Sequence, residues 1–148
     1  MGERGAPSLG LDAHAEPLLE AARDGALALQ RCPACGHVPS FPRIACPRCF
    51  RPLEWVPTSG RGRVETFAVV RRPHHERFAK HVPIVMAVIE LEEGARVIST
   101  IVGEDRLDTA VGSQVAVAGE GCWSPLPQFR LSSIGRAVGV ERARFAGR

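Results

Sequence analysis

Cys32-Pro-Ala-Cys35 and Cys46-Pro-Arg-Cys49 are two Cys-x-x-Cys knuckles with ten residues between them. Each knuckle offers two sulfurs from one tight turn, and four thiolates surround a zinc ion tetrahedrally at about 2.3 Å. A redox motif needs only one such pair, so the doubled pattern points to a metal cage and away from disulfide exchange. Soft sulfur ligands accept iron as well as zinc, and the cysteines alone leave that choice open. A cage of four protein ligands has no open coordination position, so the metal is expected to hold structure and to perform no hydrolysis. Structural zinc in finger peptides contributes roughly 10 to 16 kcal/mol of apparent binding free energy at neutral pH. Between the knuckles, Phe41, Pro42 and Ile44 are expected to cover the metal and contact the barrel. Gly36 follows the first knuckle, where a positive φ is cheapest for glycine. Phe50 stands at the matching place after the second, so that turn is expected to be strained or differently built.

The elements that position this cage are read from composition and period. A chain of 148 residues has room for one ordinary domain, or for a small module attached to a domain of about 100 residues. Its hydrophobic share of 45% and charged share of 24% are those of a globular protein, and no window approaches the roughly 20 apolar residues of a membrane helix. The net charge of +3 is weak support for any polyanionic partner. Met1 to Asp12 lacks the apolar stretch of a secretion signal, so the expected compartment is the cytoplasm, with reduced cysteines and no membrane association. Residues 1–12 mix Gly, Pro and charge without a period and are expected to form a flexible arm. From Ala13 to Ala26, Leu18, Leu19, Ala22 and Ala26 recur at three- and four-residue steps, which predicts a helix with one apolar stripe. That stripe packs either on its own domain or on a partner, since so short a helix must bury it somewhere.

Beyond the turn residues Thr58, Ser59, Gly60 and Gly62, β-branched runs separated by turn signals predict five strands. They cover Arg63 to Arg72, Pro83 to Leu91, Ala95 to Val102, Gln114 to Ala118 and Gln128 to Ser133. In the first, alternation puts Val64, Thr66, Ala68 and Val70 on one side and Phe67 and Val69 on the other. The second is apolar on both faces, as in a strand covered on both sides, and Glu92-Glu93-Gly94 turns it into the third. The predicted fold class is mainly β: an N-terminal helix and zinc ribbon followed by a five-stranded OB-like barrel. The predicted divisions are 1–12 as the arm, 13–57 as helix and ribbon, 58–134 as the OB-fold barrel and 135–148 as a C-terminal tail.

The run Gly25-Ala-Leu-Ala-Leu-Gln-Arg-Cys32, both knuckles, Leu53-Glu-Trp-Val56, Ser59-Gly-Arg-Gly62 and Val88-Ile-Glu-Leu-Glu-Glu-Gly94 resemble the rubredoxin-like zinc-ribbon plus OB-fold proteins known as domain of unknown function 35. The likeness covers about residues 13 to 134. Members of that family look like accessory subunits of acyl-CoA enzymes: thiolase-superfamily condensing enzymes, acyltransferases and retro-aldolases, and in some cases hotdog-fold hydratases. The resemblance implies Cys32, Cys35, Cys46 and Cys49 as ligands of a structural Zn2+. It also implies a hetero-oligomer in which a thiolase-like or related acyl-CoA subunit owns the reactive residues. Phe50 replaces the family's common glycine, and Pro17-Leu18 stands where an aromatic pair is frequent.

On this reading the chain is not an enzyme by itself; it shapes the coenzyme A entrance and bridges subunits. No nucleophile with a base and no pair of positioned carboxylates stands out in the sequence. Cys122, beside Trp123 in a predicted turn, reads as a packing residue, and His37 lies too near the first knuckle to be a fifth ligand. Candidate contacts for coenzyme A, or for an acidic rim on the partner, are Arg43 and Arg48 in the ribbon and Arg71, Arg72, His74 and His75 after the first strand. A solvated loop is the default explanation for the second set. The apolar docking surface is expected around Leu18, Leu19, Phe41 and Ile44. Two alternatives stand beside this reading. One is a partner of a hotdog-fold enoyl-CoA hydratase. The other is a nucleic-acid-binding ribbon and barrel, which calls for aromatic stacking platforms; with no tyrosine and no aromatic residue in the second and third strands, no nucleic acid is expected.

Overall fold

The computed structural model describes residues 15–73, 75–120 and 126–132. The expected arm, His74, Cys122, Trp123 and the tail from Gly135 lie outside those residues. Two four-residue strands, β1 (Ala28–Arg31) and β2 (Glu54–Pro57), pair antiparallel with Leu29 opposite Val56 and Gln30 opposite Trp55. They are the stem from which both knuckles are presented, Cys32 following β1 directly. The pairing brings together residues far apart in sequence, and four residues are too few for a period to show.

Helix α1 spans Glu16–Arg23, shorter than the predicted Ala13 to Ala26, and closes through Asp24 and Gly25, whose φ is +72°. Leu18 and Ala22 are buried. Of the two destinations open to the apolar stripe, Leu18 takes the first: it joins Leu27, Leu29 and the barrel residues in one core. The expectation that Leu18 belongs to a docking surface is therefore corrected, because a side chain 9% exposed has little left to offer a partner.

The barrel is built from β3 (Arg61–Val70), β4 (Ile84–Leu91), β5 (Arg96–Val102), β6 (Gln114–Glu120) and β7 (Pro127–Leu131). Strand order is β3-β4-β5-β7-β6, closed by β6 returning to β3. All neighbours are antiparallel except β5 and β7, where Ile101 faces Phe129 and Val102 faces Arg130 in a parallel pair. Val64, Val85, Ile89, Ile101, Val115 and Phe129 fill the interior. This is the five-stranded barrel expected from the sequence.

Two details of the barrel differ from the strand patterns read above. A bulge between Val64 and Thr66 reverses the alternation, so Phe67 and Val69 pack inward with Val64, while Thr66 and Ala68 turn out. The outer face of β4 is also not covered: Met86 is 44% exposed and lies beside Ala68, with Val88 between Thr66 and the exposed Ile98.

Helix and barrel meet closely at Gly119 in β6. A Cβ there would stand 3.1 Å from the Ala22 carbonyl oxygen and 3.1 Å from Gly25 Cα, and the glycine has φ +88°. Both the left-handed backbone and the close approach disfavour a side chain. Gly119→Ala is expected to destabilise the chain by about 1–3 kcal/mol, read as a lower urea midpoint at unchanged m; an unchanged midpoint would contradict the close docking.

Candidate metal centre and the surfaces beside it

The two knuckles share one backbone design. Cys32 N–H donates to His37 O (2.9 Å) and Gly36 N–H to Cys32 O (2.8 Å); Cys46 N–H donates to Arg51 O (2.9 Å) and Phe50 N–H to Cys46 O (2.9 Å). Position for position, the bonds run from the first cysteine to the fifth residue after it and from the fourth residue back. Phe50 has φ 58° where Gly36 has φ 72°. The second turn is thus built like the first, with a phenylalanine held in the left-handed region that disfavours β-carbons.

These turns place the sulfurs of Cys32, Cys35, Cys46 and Cys49 within 4.8 Å of one another. Cys32 Sγ lies 3.4 Å from Cys49 Sγ, and Cys35 Sγ lies 3.6 Å from both Cys46 Sγ and Cys49 Sγ. A zinc–sulfur radius of about 2.3 Å corresponds to a tetrahedral edge of about 3.8 Å, whereas a disulfide needs about 2.05 Å. The sulfurs fit a metal cage and are far from bonded to one another. Four cysteines are therefore positioned for a structural zinc ion.

The thiols also compete for negative charge. Burial opposes charge on Cys46, yet the N–H groups of Cys49 and Arg48 outweigh it and bring that thiol down to about 7. The Arg51 N–H favours charge on Cys49, but the Cys32 thiol, burial and the other two thiols outweigh it and push it up to about 12. Cys32 shifts down, burial being outweighed by the Cys35 N–H and the Cys49 thiol. Cys35 shifts up, the His37 N–H being outweighed by burial and the Cys32 and Cys46 thiols. Each knuckle thus pairs one sulfur disposed to be thiolate with one disposed to keep its proton. A divalent cation lifts that conflict by stabilising all four charges together.

The ten-residue span between the knuckles is fixed from β1. The buried Gln30 side chain donates from Nε2 to Arg43 O (3.0 Å) and accepts at Oε1 from Arg43 N–H (2.7 Å). The span leaves Phe41 54% and Ile44 77% exposed, and Phe50 after the second knuckle is 82% exposed. Phe41 and Ile44 thus turn more than half of their surface to solvent. Leu19 is half-buried on α1. Where Phe41 and Pro42 approach α1, β1 and the barrel, they line an apolar cleft with Trp55, Ile98 and Leu126, none of which sequence reasoning had grouped together. No sequence signal joins residues from six separate segments; only the folded chain does.

Arg43 and Arg48 are exposed in the ribbon, and Arg71, Arg72 and His75 are exposed in the loop after β3. His75 packs edge-on against Phe78, with ring centres 6.5 Å apart, so it takes part in the packing of its own loop. Arg48 borders a shallow depression with Cys35, His37, Glu93 and Arg96. A second basic depression combines Lys80 and His81 with Arg106, a residue not singled out by its sequence context. Arg106 is anchored there by Nε donating to Pro83 O (3.0 Å) and Nη1 to Gly103 O (3.0 Å).

Comparison with known proteins extends this geometry. Residues 19–55 match the model described as ChsH2, rubredoxin-like zinc ribbon domain, and residues 55–120 match ChsH2, C-terminal OB-fold domain. A DUF35 domain-containing scaffold protein of Methanothermobacter thermautotrophicus is 42% identical over 87 residues, which are 57% of this chain and 65% of that protein. The chain thus spans just under two thirds of that relative's length. A probable enoyl-CoA hydratase alpha subunit of Thermomonospora curvata is 37% identical over 86 residues, 57% of this chain and 26% of that one. Among solved structures, a chain of the Ltp2-ChsH2(DUF35) aldolase superposes with a TM-score of 0.68 at 30% identity, covering 82% of this chain and 96% of its own.

Three outcomes follow from the cage. Phe50→Gly removes the left-handed strain of about 1–2 kcal/mol against a smaller loss of chain entropy. It is expected to raise the unfolding free energy by about 0.5–1 kcal/mol; a loss of stability would show that the Phe50 ring is needed. Elemental analysis of the isolated chain is expected to give about one metal per chain. Cys46→Ser is expected to weaken metal binding by more than the tenfold or so that loss of a supporting hydrogen bond costs. Full metal content in Cys46→Ser would refute the cage.

Proposed function

The chain belongs to the DUF35 family of rubredoxin-like zinc-ribbon and OB-fold proteins, and we propose that it is an accessory subunit of an acyl-CoA enzyme complex. In this proposal Cys32, Cys35, Cys46 and Cys49 ligate a structural zinc ion that fixes a docking lobe. A thiolase-superfamily condensing enzyme, acyltransferase or retro-aldolase is the partner and performs the covalent chemistry. The observation that carries the reading is the display of Phe41, Ile44 and Phe50, large apolar side chains more than half exposed on a segment held by the sulfur cluster and the Gln30 clamp. A rigid apolar display of this kind suits a protein interface, because docking it costs little ordering entropy. Arg43, Arg48, Arg71, Arg72, His74 and His75 are assigned to contacts with the phosphates of coenzyme A or an acidic rim of the partner. The likeness to the Ltp2-ChsH2(DUF35) aldolase chain supports a carbon–carbon bond-cleaving or bond-forming partner.

A second reading, partnership with an enoyl-CoA hydratase, is favoured by the likeness to the Thermomonospora curvata subunit. The nucleic-acid alternative finds less support. Phe67 packs against the core, and the described outer face of β3, β4 and β5 carries Thr66, Ala68, Met86, Val88 and Ile98, which offer no ring for base stacking.

The test is affinity purification of the chain from its native cell, with Phe41→Ser/Ile44→Ser as the control. The expected result is near-stoichiometric recovery of an acyl-CoA enzyme subunit, which the double variant loses at least tenfold while keeping its metal. A condensing enzyme or aldolase supports the first reading and a hydratase the second. Enzyme-like turnover of acyl-CoA by the isolated chain would overturn both.

A further inference from the structure

We propose that the Phe50 ring is a specificity anchor, seated in an apolar, carboxylate-rimmed pocket of the partner subunit, and that the chain keeps a strained turn to present it. The inference rests on the accessory role proposed above and names the residue that chooses among partners. The cage contains its own reference for what the turn requires. Gly36 and Phe50 hold equivalent places in two turns with the same hydrogen bonds, at φ 72° and 58°. Glycine takes that backbone freely, whereas a β-carbon crowds the carbonyl that follows. Nothing inside the chain offsets the difference. Phe50 is 82% exposed, and it belongs neither to the core nor to the residues packed on it. Phe41 and Ile44 are exposed as well, but neither has a left-handed backbone, so their display carries no such strain. A side chain that strains the fold and is scarcely packed on it has its use outside the chain.

The surroundings of the ring give the pocket its chemistry. Arg48 and Arg51 flank Phe50, Arg31 and Arg43 complete the exposed arginines of the ribbon, and no Asp or Glu occurs from Gly25 to Leu53. None of these arginines makes an ion pair among the described residues. Four thiolates around a divalent ion leave negative charge at the centre of the cage, so the positive field belongs to this outer rim. An aromatic ring among guanidinium groups has the composition enriched in protein interfaces, and it is complementary to an apolar socket edged by Asp and Glu. Because the knuckle fixes the backbone and a phenylalanine side chain has few torsions, little order is lost on docking. A partner whose matching surface is flat, filled or edged by Lys and Arg is rejected by the same residue.

The experiment is calorimetric titration of the full metal-loaded chain into the acyl-CoA enzyme subunit recovered by the affinity purification above, with Phe50→Gly and Phe50→Ala beside the parent chain. Phe50→Gly removes ring and strain together, whereas Phe50→Ala removes the ring and keeps the β-carbon. Both are expected to lose at least about tenfold in affinity with metal content unchanged, although the urea midpoint rises in Phe50→Gly and holds in Phe50→Ala. A merely structural ring would instead lower the midpoint. In stopped-flow mixing, Arg48→Gln/Arg51→Gln is expected to slow association several-fold at low salt and to flatten its salt dependence. Parent affinity in both Phe50 variants overturns the proposal, as does a weakening confined to Phe50→Gly, or a loss of metal or midpoint in Phe50→Ala. Failure to recover any acyl-CoA enzyme removes the accessory role and the anchor together. A partner that tolerates both Phe50 variants but is lost by Phe41→Ser/Ile44→Ser removes the anchor alone.

Discussion

Four sulfur atoms within 4.8 Å of one another govern a stretch that has almost no core of its own. From Cys32 to Cys49 the buried side chains are essentially Cys32, Pro39 and Cys46, with Val38 half-buried against the barrel. Ordering backbone costs about 1–2 kcal/mol per residue, and so little apolar burial leaves most of that cost to the cluster. The paired hydrogen bonds of the two turns aim backbone N–H groups at the sulfurs and lower the charging cost of Cys32 and Cys46. The metal, when bound, removes the remaining conflict with Cys35 and Cys49.

The order imposed at the cluster passes into the barrel by packing. Leu27 and Leu29 flank and enter β1 and share a core with Val64, Ile89 and Phe129, while Gln30, one residue on, grips the ribbon span from the other side. Helix α1 is seated on β6 through the missing side chain of Gly119. The stem of the ribbon and the barrel are thus joined by a continuous core. The exterior ion pairs Arg63–Glu90 (2.8 Å) and Arg96–Glu65 (2.6 Å) span β3 to β5 at exposed positions, where such pairs contribute at most about 1 kcal/mol. They favour the closed sheet's register more than its stability.

The parts legible in the sequence were those encoded by short-range chemistry. Paired Cys-x-x-Cys spacing gave the cage, β-branched runs broken by Gly and Pro gave five strands, and Glu92-Glu93-Gly94 gave the hairpin between β4 and β5. What escaped depended on contacts between distant segments. Strands β1 and β2 are four residues each and are made stable by their pairing across the whole metal loop. The outward turn of Thr66 and Ala68 follows from one extra residue at the bulge, which no alternation rule foresees. Phe50 was flagged by its residue type, but only the backbone shows that the protein keeps the left-handed turn at the expense of strain. The fate of Leu18 was undecided by period, since an apolar stripe looks the same whether its cover is its own barrel or a neighbour.

The parallel seam between β5 and β7 has a kinetic consequence. Ile101 must find Phe129, and Val102 must find Arg130, after β6 has been laid down between them in sequence. Hairpin β4–β5 pairs neighbours in sequence, whereas this seam, like the β3–β6 seam where Arg61 meets Ala116, costs loop-closure entropy before its contacts form. Phe129 sits at that seam, fully enclosed; its burial is the reward that offsets the entropy of gathering β5 and β7 side by side.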